Sequence, residues 1–390
     1  MNTRQDEASR AGRGLLSIAG AKVYFILAGF IVQFSLPRLF GSPEVFGFFS
    51  VATSGISIIN NVLIAATIQS VSKFVSADEA HAPAVLRQGL ALQAALGLAI
   101  FGGILLGAEP LAAFMRDRSL APLLRVAAIV TLSYAIYATL IGHLNGLRLF
   151  GRQARFDVTF TTLRTVGMLG GAGLGFGALG AMTGFASAAA AIAALALFGI
   201  GMGERGPSRA PIGAWLGFMA PIWAYQGCLN GVLQVDLWVL KKTAAELGAT
   251  AGLGLAAAAA EADRYAGFYR GAQTFAFVPY QLVLATTFIV FPTVSRATAL
   301  GDEEAARRAV SGSLRFSVLA LLAMAAPIAG AAEGLLRFAY GAEYVAGAPA
   351  LRILAVGLVA FTLFVVSATA MGGSGRPIVS AGIAAVGLIV

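Results

Sequence analysis

The sequence predicts an all-α integral membrane protein of two parallel-repeat lobes, each built for six transmembrane helices, with the second lobe cut short after about four. Three observations predict it. The 390 residues are 58% hydrophobic and 12% charged, with mean hydropathy +0.82; a soluble domain carries about 25% charged residues. Apolar runs long enough to cross a bilayer recur along the whole chain. The hydrophobic sequence also repeats at a nearly fixed offset, a mark of transporters whose substrate path lies between the repeats.

The repeat is carried by five pairs. Ala121-Pro122-Leu123-Leu124-Arg125 answers to Ala348-Pro349-Ala350-Leu351-Arg352. Glu109, Leu111 and Phe114 form a Glu-x-Leu-x-x-Phe pattern repeated by Glu333, Leu335 and Phe338. Val71-Ser72-Lys73 matches Val294-Ser295-Arg296, Gly47-Phe48-Phe49 with Ala52 matches Gly267-Phe268-Tyr269 with Ala272, and Gly151-Arg152 matches Gly375-Arg376. The offsets run from 220 (47 to 267) to 227 (125 to 352). Chance supplies one such match, but hardly five in register.

A helix needs about 20 apolar residues to cross the hydrocarbon layer. Spans are expected near 15–36, 45–70, 86–107, 121–146, 157–176, 179–201, 212–239, 266–292, 311–331 and 350–372, with a shorter apolar run at 378–390. Residues 1–14 read as a cytoplasmic tail, since the first apolar run is too long for a signal peptide. Lys and Arg concentrate in cytoplasmic loops. With the N-terminus inside, the inner loops hold Arg4, Arg10, Arg13, Lys73, Arg87, Arg148, Arg152, Arg155, Arg205, Arg209, Arg296, Arg307, Arg308 and Arg376. The outer loops hold Arg38, Arg116, Arg118, Lys241, Lys242, Arg264 and Arg337. Fourteen against seven favours that orientation, and the net charge of +9 is explained by topology without nucleic acid.

Six spans separate the copies, so both halves enter the membrane the same way round. The repeats are therefore parallel, related by a pseudo-two-fold along the membrane normal. A first lobe is expected over 15–201 and a second over 212–390. Adding 224 to the fifth and sixth spans (157–201) places their counterparts at 381–425, beyond residue 390. The second lobe is thus expected to lack most of its last two helices; a ten-helix chain with a re-entrant tail is the other reading. An Ala-rich loop is expected at 240–264.

Little resembles catalysis or a cofactor site. Gly175-Phe176-Gly177-Ala178-Leu179-Gly180 matches G-x-G-x-x-G, but it falls between two spans with no strand before it. Close helix packing is the expected use of Gly167, Gly171, Gly173 and Gly177. No Walker sequence occurs, the lone Cys228 reads as a small buried residue, and His81 and His143 read as interfacial.

Ionisable groups inside spans are the sharper signal, because each costs at least about 2.5–3.5 kcal/mol at mid-membrane unless it faces water or a partner. Four qualify: Lys22 with Gln33 on the same face of the first span, Arg164 beside Thr161 and Thr165 in the fifth, Asp236 in the seventh and Arg270 in the eighth. Three cations and one anion suit a negatively charged substrate. Lys22 and Arg270 can instead snorkel to the interfaces, and Asp236 can pair with Arg270 as a gate or serve ion coupling. Polar stripes recur every four residues: Gln226, Asn230 and Gln234 with Trp223 in the seventh span, and Ser54, Ser57 and Asn61 in the second. Tyr265, Tyr269 and Gln273 continue the pattern in the eighth. Amides with aromatics suit sugar hydroxyls and ring faces, while the same stripes also suit interhelical hydrogen bonds. Pro221, Pro279 and Pro327 sit inside spans, where they can act as gating kinks.

The run from Leu36 to Ser50 (Leu36-Pro37-Arg38-Leu39-Phe40-Gly41-Ser42-Pro43-Glu44-Val45-Phe46-Gly47-Phe48-Phe49-Ser50), Val235-Asp236-Leu237 and Ala266-Gly267-Phe268-Tyr269 carry a family resemblance. Phe291-Pro292-Thr293-Val294-Ser295, Tyr340-Gly341-Ala342-Glu343-Tyr344 and Gly372 to Pro377 extend it. In order and spacing these segments resemble the polysaccharide (O-antigen repeat unit) flippases, the Wzx or polysaccharide transporter branch of the MOP superfamily. The resemblance implies a MATE-like pair of lobes in a V around a cationic lumen. It also implies transfer of undecaprenyl-diphosphate-linked oligosaccharide from the cytoplasmic to the periplasmic leaflet of the bacterial inner membrane. Arg164 and Lys22 would then attract the diphosphate, with Asp236 where the family commonly has an acidic residue. Membrane lipids, a polysaccharide polymerase and chain-length proteins are the implied partners, no cofactor is implied, and H+ or Na+ is the implied driving ion if transport is coupled. The long segment 240–264 and the missing last helices depart from the family pattern.

Other functions fit less well. A multidrug exporter of the same superfamily would want carboxylates inside its first lobe, where only Asp157 stands, at an edge. A peptidoglycan-precursor flippase would be expected to have 14 helices. A membrane glycan polymerase or ligase would want an acidic or histidine cluster in a large outer loop, and 240–264 offers only Glu246, Glu261 and Asp263.

Overall fold

The computed structural model describes residues 2–204, 206, 211–373 and 382. The run 378–390 apart from residue 382, the Gly375-Arg376 copy of Gly151-Arg152 and the loop charges Arg205, Arg209 and Arg376 lie outside the described residues. So do the side chains of Arg4, Arg10, Arg13, Phe291, Pro292, Thr293 and Arg296. Among the described residues every regular element is helical: α1 (Asn2–Phe40), α2 (Pro43–Ala77), α3 (Ala82–Phe114), α4 (Leu120–Gly146), α5 (Phe150–Gly171) and α6 (Gly177–Ile200). After a linker come α7 (Ile212–Thr250), α8 (Leu255–Ala299), α9 (Glu303–Gly330), the short α10 (Ala332–Tyr340) and α11 (Ala348–Gly373).

Seven stretches are long and apolar enough to cross a membrane, and one of them, Phe150–Ile200, contains both α5 and α6. Together they cover the expected spans except the seventh and eighth. α7 carries an amide stripe, Asp236 and two lysines, which lowers its hydropathy and marks a helix with a polar side to satisfy.

Local chemistry sets the turns. At Gly41 the chain leaves α1 with φ +72°, and Ser42 caps α2 by accepting a hydrogen bond from the Val45 amide at 3.2 Å, with Pro43 in the first turn. Between α5 and α6 the glycine-rich hairpin turns through Gly175 (φ +86°) and Gly177 (φ +56°). Gly177 therefore serves the turn rather than packing. Gly167 and Gly171 do pack: a Cβ on either would stand 2.4 or 2.0 Å from a carbonyl oxygen of Gly184 or Gly180. Gly173 meets only the tip of Leu39, at 4.0 Å.

Two sequence expectations change. The polar stretch 1–14 is helical from Asn2 and continues into α1. The segment 240–264 is not a loop: α7 runs to Thr250 and α8 starts at Leu255, leaving only 251–254 as a turn. Hydropathy marked this segment as a break, yet alanine is the best helix former. At about 1.5 Å per residue, α7 (39 residues) and α8 (45 residues) are roughly twice the length a bilayer core of about 30 Å requires. Their shared turn, 251–254, is exposed. Cys228 is half-buried and His143 fully buried, in the last turn of α4.

The repeat is visible as matched contacts. Arg125 donates to Glu109 at 2.8 Å, and Arg352 donates to Glu333 at 2.8 Å. The two sequence motifs are thus the two halves of one ion pair, made once per lobe at the turn into α4 or α11. These side chains are about half exposed, so each pair adds at most about 1 kcal/mol. A second match joins the lobes. A Cβ on Gly47 would stand 1.8 Å from the Asp263 carbonyl oxygen, and one on Gly267 would stand 1.9 Å from the Pro43 carbonyl oxygen. Residues 43 and 47 answer to 263 and 267, each 220 apart. A contact in which i meets the image of j, and j the image of i, lies on a two-fold axis. α2 and α8 therefore cross on the pseudo-two-fold.

That crossing defines a closed end, where the α1–α2, α3–α4 and α7–α8 turns gather. Phe34 of α1 stacks on Tyr340 (5.8 Å) and packs at a tilt against Phe275 (5.3 Å), and Phe46 of α2 meets Tyr344 (6.4 Å). Arg38 donates to the carbonyls of Ala339 (2.8 Å) and Phe338 (3.0 Å). A single buried cluster runs through both lobes here, from Leu36 and Phe49 to Ala266 and Leu351. At the opposite end, Trp215 at the start of α7 is buried against Val71, Val75, Ala82 and Val85 of the first lobe.

Candidate functional site

The expected site residues sort into three clusters rather than one. The first lies inside the first lobe between α1, α4 and α5. The Arg164 guanidinium rests 4.6 Å from the Phe25 ring centroid, close to the Tyr134 hydroxyl, and its Nε is buried without a partner. Lys22, exposed on α1, lies within electrostatic reach of Asp157, whose carboxylate accepts from the Tyr137 hydroxyl at 2.9 Å. Tyr24 and Thr162 share a hydrogen bond of 2.9 Å between the same helices. Among the described residues, neither Lys22 nor Arg164 has a carboxylate within 4.0 Å.

The second cluster is built by α7 and α8. Asp236 accepts from the Tyr269 hydroxyl at 2.6 Å and from Gln273 Nε2 at 3.3 Å. Arg270 donates to Gln273 Oε1 at 2.7 Å. Asp236 and Arg270 therefore attract each other through Gln273 rather than as a direct ion pair.

The third cluster is the seam between α2 and α7. Asn61 donates to Asn230 Oδ1 at 2.7 Å, Asn230 donates back to the Gln226 carbonyl at 2.9 Å, and Trp238 donates to Ser54 at 2.8 Å. The stripes of the second and seventh spans thus face each other and hydrogen-bond across the lobes. Gln234 keeps a buried Oε1 without a partner, and Trp223 is half-buried on the same helix. Among the described residues no group of His, Cys, Asp and Glu is placed to hold a metal.

A fourth polar site has no counterpart among the expected residues. Lys241 of α7 is fully buried and donates to Asp117 Oδ2 at 2.7 Å and to Asp263 Oδ1. Asp117 belongs to the α3–α4 turn and Asp263 to α8, so the lysine ties the lobes together at the closed end. Its members stood in segments expected to be loops, and 124 residues separate Asp117 from Lys241.

No family model matches the sequence, and no curated protein matches it. Solved structures do. A multidrug resistance MATE family transporter of the MOP superfamily, in its inward-facing conformation, matches with TM-score 0.73 at 17% identity, over 95% of this chain and 87% of that one. The lipid II flippase MurJ, in an inward closed conformation, matches with TM-score 0.72 at 14% identity, over 94% and 79%. A MOP superfamily transporter from Pyrococcus furiosus matches with TM-score 0.63 at 18% identity, over 97% and 84%. An outward-facing MATE family transporter matches less well, with TM-score 0.62. The chain has the fold of the MOP superfamily transporters, shared by MATE exporters and MurJ alike.

Proposed function

We propose that this chain is a membrane transporter that flips undecaprenyl-diphosphate-linked oligosaccharide from the cytoplasmic to the periplasmic leaflet by alternating access, for surface polysaccharide assembly. Arg164 carries the reading. A guanidinium inside the membrane, with no carboxylate within 4.0 Å among the described residues and a buried Nε left unbonded, is a costly arrangement unless an anion completes it. A diphosphate fits, because a planar guanidinium grips phosphate oxygens in pairs. Lys22 stands on the neighbouring α1 and adds a second positive charge. Gln226, Gln234, Trp223 and Tyr269 supply the amides and rings a sugar would want, and Asn230 is shared with the seam.

Orientation follows from the loop charges: with the N-terminus cytoplasmic, the closed end faces the periplasm. The better match to an inward-facing than to an outward-facing relative, 0.73 against 0.62, supports the same assignment. The exporter reading shares the fold but fits the side chains less well. An exported organic cation needs a free carboxylate, and Asp157 and Asp236 are each engaged by a tyrosine hydroxyl and lie near a cation.

The test is surface polysaccharide in cells whose own gene is replaced by variants of the full chain. A lost charge-assisted contact costs about 1.5–3 kcal/mol, so Arg164→Ala is expected to lower polysaccharide about tenfold or more at unchanged protein level. Arg164→Lys should fall between, keeping the charge and losing the fork. Wild-type polysaccharide from Arg164→Ala would remove Arg164 from the substrate path.

A further inference from the structure

The site at the closed end holds an unbalanced charge. Lys241, Asp117 and Asp263 have side chains 0%, 6% and 6% exposed. One ammonium between two carboxylates leaves a net charge of −1 on side chains that are almost wholly buried, which is expensive unless a proton neutralises it. The two acids are not equivalent. Asp117 accepts from the Ser119 amide at 3.1 Å and from the Ser119 hydroxyl as well as from Lys241. Asp263 has only Lys241 as a donor among the hydrogen bonds of the described residues. The same lysine also donates to the Ala259 carbonyl at 3.3 Å, so it is fully used.

We propose that Lys241, Asp117 and Asp263 form a proton-binding latch between the lobes, in which closure of the outer side takes up one proton on Asp263 and opening releases it. The proposal rests on the alternating-access reading and adds to it a proton site that couples outer pH to the opening of the lobes. Two neighbouring contacts make the same junction: Lys242 sits 3.9 Å from the Phe114 ring centroid, and Glu246 reaches Arg116 at 3.9 Å. α7 thus grips the α3–α4 turn at three successive points, and parting the lobes must break all of them. A cavity of about 760 Å³ opens at the site, lined by Glu44, Arg116 and Arg118 together with Asp117 and Asp263 themselves. It gives outer protons a route. The neighbouring charges are thus Glu44 of α2, Arg116 and Arg118 of the α3–α4 turn, and Lys242 and Glu246 of α7, with the exposed Glu261 and Arg264 flanking Asp263 on α8.

Burial pushes the Asp263 carboxyl up to about 7, opposed by Lys241 and reinforced by Asp117. Burial also pushes Asp117 up, but Lys241 and the two Ser119 hydrogen bonds outweigh it and hold that carboxyl below its usual value. The sign follows. The closed state binds a proton on Asp263 that the solvated open state, with a carboxyl near 3.8, does not hold. Closure is therefore favoured by acid, weakens as pH rises from about 4 through about 7, and levels off within about a pH unit above that.

The latch can be read without substrate, so its failure is separate from failure of the flippase reading. Nitroxide labels at Ala113→Cys and Thr250→Cys, on a Cys228→Ser background, would report the lobe separation of the full chain in lipid nanodiscs by electron–electron double resonance. Between pH 5 and 7 the ratio of short to long distances should fall about fiftyfold in all. From pH 7 to 8.5 it should fall by no more than about twofold. Asp263→Asn, which is neutral at every pH, should show a ratio that does not vary with pH. A wild-type ratio constant from pH 5 to 7 would overturn the proposal even if that variant failed to fold. So would an Asp263→Asn protein that kept the wild-type pH dependence.

Discussion

Lys241→Met is expected to destabilise the protein by about 3–5 kcal/mol, the cost of removing one partner from a buried ionic group. The side chain is completely buried, and its removal leaves Asp117 and Asp263 facing each other without a cation. Protonation of both acids would recover part of the loss, so the variant should be least stable above neutral pH. The control separates charge from packing. Lys241→Met combined with Asp117→Asn and Asp263→Asn removes every charge while keeping similar volumes, and replacing a whole buried ionic group is often neutral. The triple variant should therefore regain most of the loss in thermal unfolding followed by size-exclusion chromatography. A Lys241→Met protein that unfolds with the wild type would mean that the triad contributes nothing to the closed end.

The second large effect falls on the two-fold contact. A valine at position 47 or 267 places its Cβ under 2 Å from a backbone oxygen of the other lobe. A backbone atom cannot swing aside as a side chain can, so the helices must separate by more than 1 Å, roughly the difference from an ordinary contact of about 3.3 Å. Overpacking costs about 1–3 kcal/mol where side chains can yield, and here the penalty should be at the upper end or beyond. Gly47→Val and Gly267→Val should each hold the lobes apart at the closed end, raising labelling of a cysteine placed at Phe46 by a water-soluble maleimide. Because both glycines sit at one crossing, the double variant should add less than the sum of the two. Labelling at the wild-type rate in both would refute the crossing.

Much of the fold was legible in the sequence because membrane burial leaves a strong hydropathy signal and duplication leaves a periodic one. The motif pairs at Glu109 with Arg125 and Glu333 with Arg352 were visible as strings, and the structure turns each into an ion pair. The α7–α8 hairpin was not legible. Its alanines and lysines fall below membrane hydropathy while remaining strongly helical, and span-finding uses only the first property. The polar stripes were half legible. The period of Gln226, Asn230 and Gln234 showed a polar face, but only the neighbouring helix could show that Asn61 answers it. The Lys241 triad was invisible for a simpler reason: residues 117, 241 and 263 share no local pattern, and all three stood in expected loops.

In the proposed transport cycle the clusters would divide the labour. Arg164 and Lys22 belong to the first lobe, Asp236 with Tyr269 and Arg270 to the second, and the α2–α7 seam lies where the lobes meet. At the closed end, aromatic rings fill the junction beside the Lys241 triad. Under the proposed alternating access, opening outward would have to part Phe34 from Phe275 and free Lys241 from Asp117 together.

The most direct test of this account is leaflet transfer by the purified full chain in liposomes containing a fluorescent undecaprenyl-diphosphate-linked oligosaccharide, with transfer read as protection from an added glycosidase. Transfer is expected well above protein-free liposomes, reduced by Arg164→Ala and unchanged by a conservative substitution at the exposed Phe198. Transfer no faster than in protein-free liposomes, from a protein that exports a cationic dye from the same vesicles, would contradict it.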